Sequence, residues 1–494
     1  MRFSRRRFLR TSAFASAALM GSGAMDATLA RIARGATGLS PGYGPLQPDP
    51  ERMLDLPPGF QYRRFSCSTW SDGREPEFQQ QLTNGDPVPC RHDGMGAFAG
   101  PNGLTILVRN HEVNPEHTGA GVDPARTNPY DPKGRGGTTT LWVDRERNLV
   151  RSFSSLSGTF RNCAGGITPW GTWLTCEECT YLPGEPSETN ADLHPGVSKR
   201  HGYVFEVEAH ATEPSAPVPI LAMGRFYHEA VGVDPATGFV YLSEDRKDGL
   251  LYRYRPDVVT RGGRKPHELA HGDLAKGGVL EALRVIGRPS VKTQNYEPGE
   301  TPFVPQRTHK VDWLPIPVAG LDPDMDMERD PTDTAKAPTE RRGRTAASAI
   351  RAQGFGLGCA QFARVEGVTY HQGALYFCAT DGGPRGAGQV WKLDLRKDEL
   401  SLVVQPDDFA MLDGPDNLVV APNGDLIVCE DGRDDDYVVG VTPHGALYHL
   451  AHNAHNDQEF AGACFAPDGH TLFVNVQEPG LTYAVWGPWG KRRV

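Results

Sequence analysis

One unit recurs six times along this chain: a polar or acidic start, a small residue, a short apolar strand, a turn with Gly, a second apolar strand and an acidic or polar exit. The first copy begins at Gly94-Met95-Gly96, turns at Pro101-Asn102-Gly103 and leaves at Arg109-Asn110-His111-Glu112. The second runs from Asn162-Cys163-Ala164-Gly165 to Cys176-Glu177-Glu178, and the third from His228-Glu229 to Ser243-Glu244-Asp245. The fourth runs from Arg364-Val365-Glu366-Gly367 to Thr380-Asp381, and the fifth from Asp413-Gly414-Pro415-Asp416-Asn417 to Cys429-Glu430-Asp431. The sixth runs from Glu459-Phe460-Ala461-Gly462 to Asn475-Val476-Gln477-Glu478. The turns are of the Gly/Asn/Asp kind that closes antiparallel strands, and the strands are rich in Val, Leu, Tyr and Phe.

Hairpins repeated in this way predict an all-β chain, a six-bladed β-propeller with helical and loop insertions. Two smaller β domains are the competing arrangement. The spacing is broken once, by residues 257–350, a charged and proline-containing stretch expected to act as an insertion or cap, with helix-favouring segments in 325–351. Fifty-seven Gly and forty-one Pro suit many short strands and turns better than long helices.

Ahead of the repeats lies Ser4-Arg5-Arg6-Arg7-Phe8-Leu9-Arg10, followed by a weakly apolar run from Thr11 to Met20. A paired arginine, then an apolar segment, predicts a cleavable twin-arginine export signal over residues 1–36, leaving 37–494 as the propeller domain. The run is far short of the roughly 20 residues that span a bilayer, so no permanent membrane anchor is expected. The implied partner is the twin-arginine export machinery, and the implied location is periplasmic or extracellular.

The formal charge is −10; residues 1–36 hold seven Arg and one Asp, so the remainder stands at −10 − 6 = −16. This balance argues against nucleic acid and for cation binding. Nine cysteines are present, and Cys67 and Cys90, which flank one loop-rich stretch, are expected to pair in an oxidising compartment. Cys176 and Cys179 have C-x-x-C spacing, but no second such pair follows, so a structural zinc site is not predicted.

A hairpin returns to the end it left, so the start and exit of each unit share one face. Six hairpins around one axis would gather Glu112, Glu178, Glu229, Glu244, Asp245, Glu366, Asp416, Asn417, Glu430 and Glu459 at one mouth. So many carboxylates cannot share a low-dielectric pocket without cations, and oxygen donors select hard ions, calcium first. Any one of these acids, taken alone, is as readily a solvated turn residue. The repeated position carries the metal reading.

In this order the elements resemble the PhoX-type secreted alkaline phosphatases. The similar segments are the arginine-pair leader, Arg109-Asn110-His111-Glu112, Asn162-Cys163-Ala164-Gly165-Gly166 leading to Thr175-Cys176-Glu177-Glu178, His228-Glu229-Ala230, Ser243-Glu244-Asp245-Arg246, Arg364-x-Glu366-Gly367 and Asp413-Gly414-Pro415-Asp416-Asn417. Val365 stands where the family usually has Pro. The resemblance implies a six-bladed propeller holding ferric iron and calcium, with a thiolate among the iron ligands, and hydrolysis of phosphate monoesters. Carried onto this chain, Cys176 would be the thiolate, and Glu178, Glu244, Glu366, Asp416 and Glu430 would supply oxygen ligands. Arg364 would grip the phosphate, with Asn110 as a second catalytic candidate, and the protein would act as a monomer.

Such chemistry is reasonable for these residue types. Phosphate monoesters hydrolyse extremely slowly without a catalyst, and clustered ions neutralise phosphoryl oxygens and stabilise the leaving oxygen. An arginine fits as a bidentate clamp. The competing functions are a calcium-dependent propeller lactonase or esterase, and a non-enzymatic propeller stabilised by calcium. His111 and His228 each precede a glutamate and read as packing or carboxylate-orienting residues. No phosphate-cradling P-loop and no nucleophilic serine motif stand out.

Overall fold

The computed structural model describes residues 41–68, 80–117, 119–123, 128–187, 194–261, 269–296, 302–317 and 346–490. Residues 1–36, where an export signal is expected, and most of 325–351 lie outside the described residues.

Each hairpin read from the sequence forms an antiparallel pair. They are His92–Ala99 with Thr105–His111, Asn162–Ile167 with Thr172–Glu177, His228–Val233 with Val240–Glu244, Val365–His371 with Ala374–Ala379, Pro415–Val420 with Leu426–Glu430, and Phe460–Phe465 with Thr471–Val476. The first strands pack against one another in a closed order, first to second through to sixth and back to first. The hairpins thus share one ring rather than dividing into two β units. The fold is all-β and propeller-like, and Ala346–Gly356 is the single α-helix among the described residues.

Further antiparallel strands extend every hairpin outward. Beyond the sixth, Leu481–Trp486 pairs with Gln61–Cys67 from the start of the chain, so residues far apart in sequence lie in one sheet. This pairing covers an edge that would otherwise be open. Apolar side chains fill the spaces between sheets. Leu174, Val231, Leu242, Tyr252, Leu280 and Ile350 belong to one fully buried cluster, and each buried aliphatic side chain contributes about 1.5–3 kcal/mol.

One expectation changes and another gains detail. Within residues 257–350, expected to be an insertion or cap, Gly278–Val285 and Thr308–Pro315 extend the third hairpin's sheet. Thr308–Lys310 then pairs with Glu399–Ser401, fusing the third and fourth sheets into one of nine strands. The expected Cys67–Cys90 disulfide is absent, and all nine cysteines are unpaired. Cys67 packs in an apolar core with Phe60, Leu481 and Tyr483. Cys90 sits against Gly119, where an added Cβ would lie 2.6 Å from its sulfur.

Candidate metal centre

The register of every first strand breaks at the same place, near its start: between His92 and Met95, Asn162 and Gly165, His228 and Val231, Val365 and Val368, Pro415 and Leu418, and Ala461 and Cys464. These are β-bulges, which re-aim side chains away from the alternating pleat. In the first five hairpins the residue opening the bulge is Asp93, Cys163, Glu229, Glu366 or Asp416. The next residue is small in the first four, Gly94, Ala164, Ala230 and Gly367, and is Asn417 in the fifth; at the two glycines the neighbouring bulge leaves no room for a side chain. A Cβ on Gly94 would lie 2.4 Å from the Ala164 Cα, and one on Gly367 would lie 2.5 Å from the Asp416 carbonyl oxygen.

One backbone hydrogen bond closes each hairpin's mouth. The residue before the first strand accepts from the N–H of the residue after the second: Arg91 from Glu112 at 3.1 Å, Arg161 from Glu178 at 2.9 Å, Tyr227 from Asp245 at 3.3 Å, Arg364 from Thr380 at 2.9 Å, Gly414 from Asp431 at 2.9 Å and Glu459 from Gln477 at 3.1 Å. Arg91, Arg161 and Arg364 take φ of 49°, 45° and 53° there. This left-handed conformation is uncommon for a residue with a long side chain.

The bulges and mouths together assemble three groups of ligand atoms: Glu112, Cys163 and Glu178; Asp93, Glu112 and Glu459; and Glu229, Glu366 and Asp416. Within each group the atoms lie within 4.8 Å of one another. Burial, then repulsion from Glu366 and Glu178, pushes Glu229 well above the usual carboxylate range. Burial and Glu366 do the same to Asp416, and burial and Glu112 to Asp93. Burial raises Glu366 to about 7 even against the opposing charge of Arg364. Glu112 is the exception. Burial alone would raise it, but Arg161 and Arg91 hold it at about 2, the latter from 2.9 Å. Burial and the charge of Glu229 push the Cys163 thiol up, and its sulfur lies 3.6 Å from a Glu178 oxygen. Carboxylates and a thiol so disfavoured as anions are poised to exchange protons for cations.

Further along the same strands an axial cavity of about 480 Å³ is lined by residues of all six hairpins, including Gly94, Ala164, Val231, Val368, Asn417 and Cys464. The ring therefore has one axis, with an acidic mouth and a largely apolar cavity further along it.

Residues 41–480 match the family described as alkaline phosphatase PhoX. The chain belongs to the PhoX family. Among solved structures it is similar to Pseudomonas fluorescens PhoX in complex with vanadate, a transition state analogue, at 17% identity and a TM-score of 0.63, over 92% of this chain and 99% of that one. A gluconolactonase from Xanthomonas campestris aligns at 10% identity and a TM-score of 0.39, over 91% and 99%. No curated protein matches the chain.

In this PhoX member Glu112, Glu178, Glu229, Glu366, Asp416 and Glu459 stand in the three groups. The other residues singled out from the sequence lie elsewhere. Cys176 is fully buried among apolar side chains, because strand alternation turns it away from the axis. The thiol in a ligand group is Cys163. Glu244 is buried against Arg351 at 2.6 Å and Tyr252 at 2.8 Å. Glu430 accepts from the backbone N–H groups of Asp413 at 2.8 Å and Tyr437 at 2.9 Å. Both end a second strand and so face between sheets. Asp245 binds Arg364 through both oxygens, at 2.9 and 3.1 Å, and Arg364 also reaches Glu366 at 2.5 Å. Asn417 lines the axial cavity.

Asp93, Cys163, Arg91 and Arg161 were missed. Their signal was present: each occupies the repeat position held by Glu366 or Arg364. His111 is bonded at 2.9 Å to the Cys90 carbonyl and to Thr139, and His228 at 3.2 Å to the Gly224 carbonyl. These are packing roles.

Proposed function

We propose that this chain is an exported phosphatase that hydrolyses phosphate monoesters at a cluster of calcium and ferric iron on the axis of a six-bladed propeller. Membership of the PhoX family supports the reaction class, and the ring of six first strands supports the blade count. The observation that carries the site is the convergence of three ligand groups on one mouth beside Arg364.

The donor set fits both metals. Glu229, Glu366 and Asp416 offer only hard oxygens, as calcium prefers, while Cys163 adds to Glu112 and Glu178 the soft donor that suits iron. When bound, such ions supply charge neutralisation for the phosphoryl group and the leaving oxygen. Arg364 then holds the phosphate. The carboxylates of Glu366 and Asp245 keep it protonated throughout, the pair to Glu366 being the stronger, so it remains a fixed fork of N–H donors. Asp245 sets the plane of that fork through its two bonds.

No helix among the described residues is long and apolar enough to cross a membrane. We assign the protein to the periplasm or the extracellular space, as a monomer exported by the twin-arginine route, on the arginine pair and apolar run of residues 4–20. No observation favours the lactonase, esterase or non-enzymatic alternatives. The test is p-nitrophenyl phosphate turnover by protein purified from the exported fraction, with elemental analysis, before and after EGTA. Turnover that EGTA abolishes, with calcium and iron in the protein, is expected. A replete sample that fails to hydrolyse the ester would overturn the reading.

A further inference from the structure

The six mouths are not equivalent. The residue before the first strand is arginine in the first, second and fourth hairpins, and each of these guanidiniums is paired with carboxylates: Arg91 and Arg161 with Glu112, Arg364 with Asp245 and Glu366. In the third hairpin that residue is Tyr227, which is buried. Over its ring, 3.5 Å from the centroid, lies the guanidinium of Arg246. A fourth guanidinium is thereby delivered to the same repeat position from the opposite end of the hairpin.

Arg246 differs from the other three in one respect: it makes no ion pair with a described carboxylate. The neighbouring acid, Asp245, spends both oxygens on Arg364, and the nearby Asp248 pairs with Arg351 at 3.2 Å. Stacking on an aromatic face holds a guanidinium flat while leaving its N–H edge free. The backbone also ties Arg246 to the phosphate-gripping residue, since the Arg364 N–H donates to the Arg246 carbonyl at 2.8 Å. Arg246 is half-buried, so it remains accessible to a ligand from solution.

We infer that Arg246 is a specificity-determining residue, holding an anionic group on the alcohol portion of the substrate while Arg364 holds the phosphoryl group. The favoured substrates are then phosphate monoesters whose alcohol carries a carboxylate or a second phosphate. The inference rests on the phosphatase reading above.

Calorimetric binding of two phosphonates that cannot be hydrolysed tests it without turnover: phosphonoacetate, which bears a carboxylate, and methylphosphonate, which does not. Metal-replete wild-type protein is expected to bind phosphonoacetate about tenfold more tightly, the usual worth of one charge-assisted pair. Arg246→Gln should reduce that ratio threefold or more, and Arg246→Lys should restore part of it. A ratio that falls less than threefold in Arg246→Gln overturns the inference, as does a wild-type ratio near one. Wild-type protein that binds neither phosphonate overturns the phosphatase reading instead. Circular dichroism of both variants confirms that they fold.

Discussion

Asn110 donates through Nδ2 to the carbonyl oxygen of Ala164 at 2.7 Å, tying the end of the first hairpin to the bulge of the second. The same nitrogen reaches the Cys163 carbonyl at 3.1 Å, while Oδ1 accepts from Trp173 and Thr175, both at 2.9 Å. An amide can do no more. Asn110 was singled out from the sequence as catalytic, but its hydrogen-bonding capacity is spent on positioning Cys163. Two other joints repeat the device: Ser243 donates to the Glu366 carbonyl at 2.7 Å and Asn475 to the Asp93 carbonyl at 2.6 Å.

Asn110→Ala therefore leaves several buried polar groups without partners. A loss of about 3 kcal/mol is expected, from an unmet cost of about 1–3 kcal/mol per group partly offset by relaxation. Urea unfolding measures it. A loss below about 1 kcal/mol would show that the bulge does not depend on this side chain.

Cys163→Ser and Cys176→Ser should separate cleanly. The first is expected to lower iron content and remove visible absorption arising from thiolate ligation. The second should keep both, while a hydroxyl buried in the apolar cluster costs about 1–3 kcal/mol. Iron analysis and spectra of the two variants decide. Iron lost from Cys176→Ser but retained by Cys163→Ser would reverse the assignment.

Calcium binding should release protons. Burial and mutual repulsion raise Glu229 and Asp416 well above the ordinary range, and Glu366 to about 7, so the cation-free group carries protons at neutral pH. A cation displaces them. Titration of chelator-treated protein in two buffers of different ionisation enthalpy should give a positive release at pH 7 that shrinks towards alkaline pH. Zero release at pH 7 would contradict the geometry of this group.

His201 makes a separate prediction, for stability. It is buried between Glu177 at 2.6 Å and Asp131 at 3.4 Å. Burial opposes its charge, but Glu177 and Asp131 outweigh that and raise it from 6.5 to about 9. A folded value above the unfolded one means that the stabilisation is complete below pH 6.5 and is lost as pH rises through 9. The difference corresponds to about 3 kcal/mol. Urea midpoints of wild type should fall between pH 6.5 and 9, and those of His201→Gln should not share that slope.

The hairpins were legible because their cues are local. Turn residues such as Pro101-Asn102-Gly103, strand-forming runs and their recurrence need no knowledge of distant contacts. Six of the eleven residues read as metal ligands also reach the three groups, because a hairpin's ends must share a face. Alternation along a strand can decide between facing the axis and facing the core, but a bulge resets it. Cys176 is followed at once by acids and looked like a ligand, yet the regular second strand buries it. Cys163 sits one residue into the irregularity that turns it inward.

By itself the sequence determined an all-β chain with repeated hairpins, an excess of acid at their ends and membership of a metal-dependent family. Only the tertiary structure decided which acids share an ion-sized space and which are spent on arginines or backbone amides. It also showed that Arg91 and Arg161 accompany Arg364. The reason is physical. Ligand grouping depends on side chains brought within a few ångströms by bulges and by the ring, from segments hundreds of residues apart, and neither relation is encoded in any single stretch of chain.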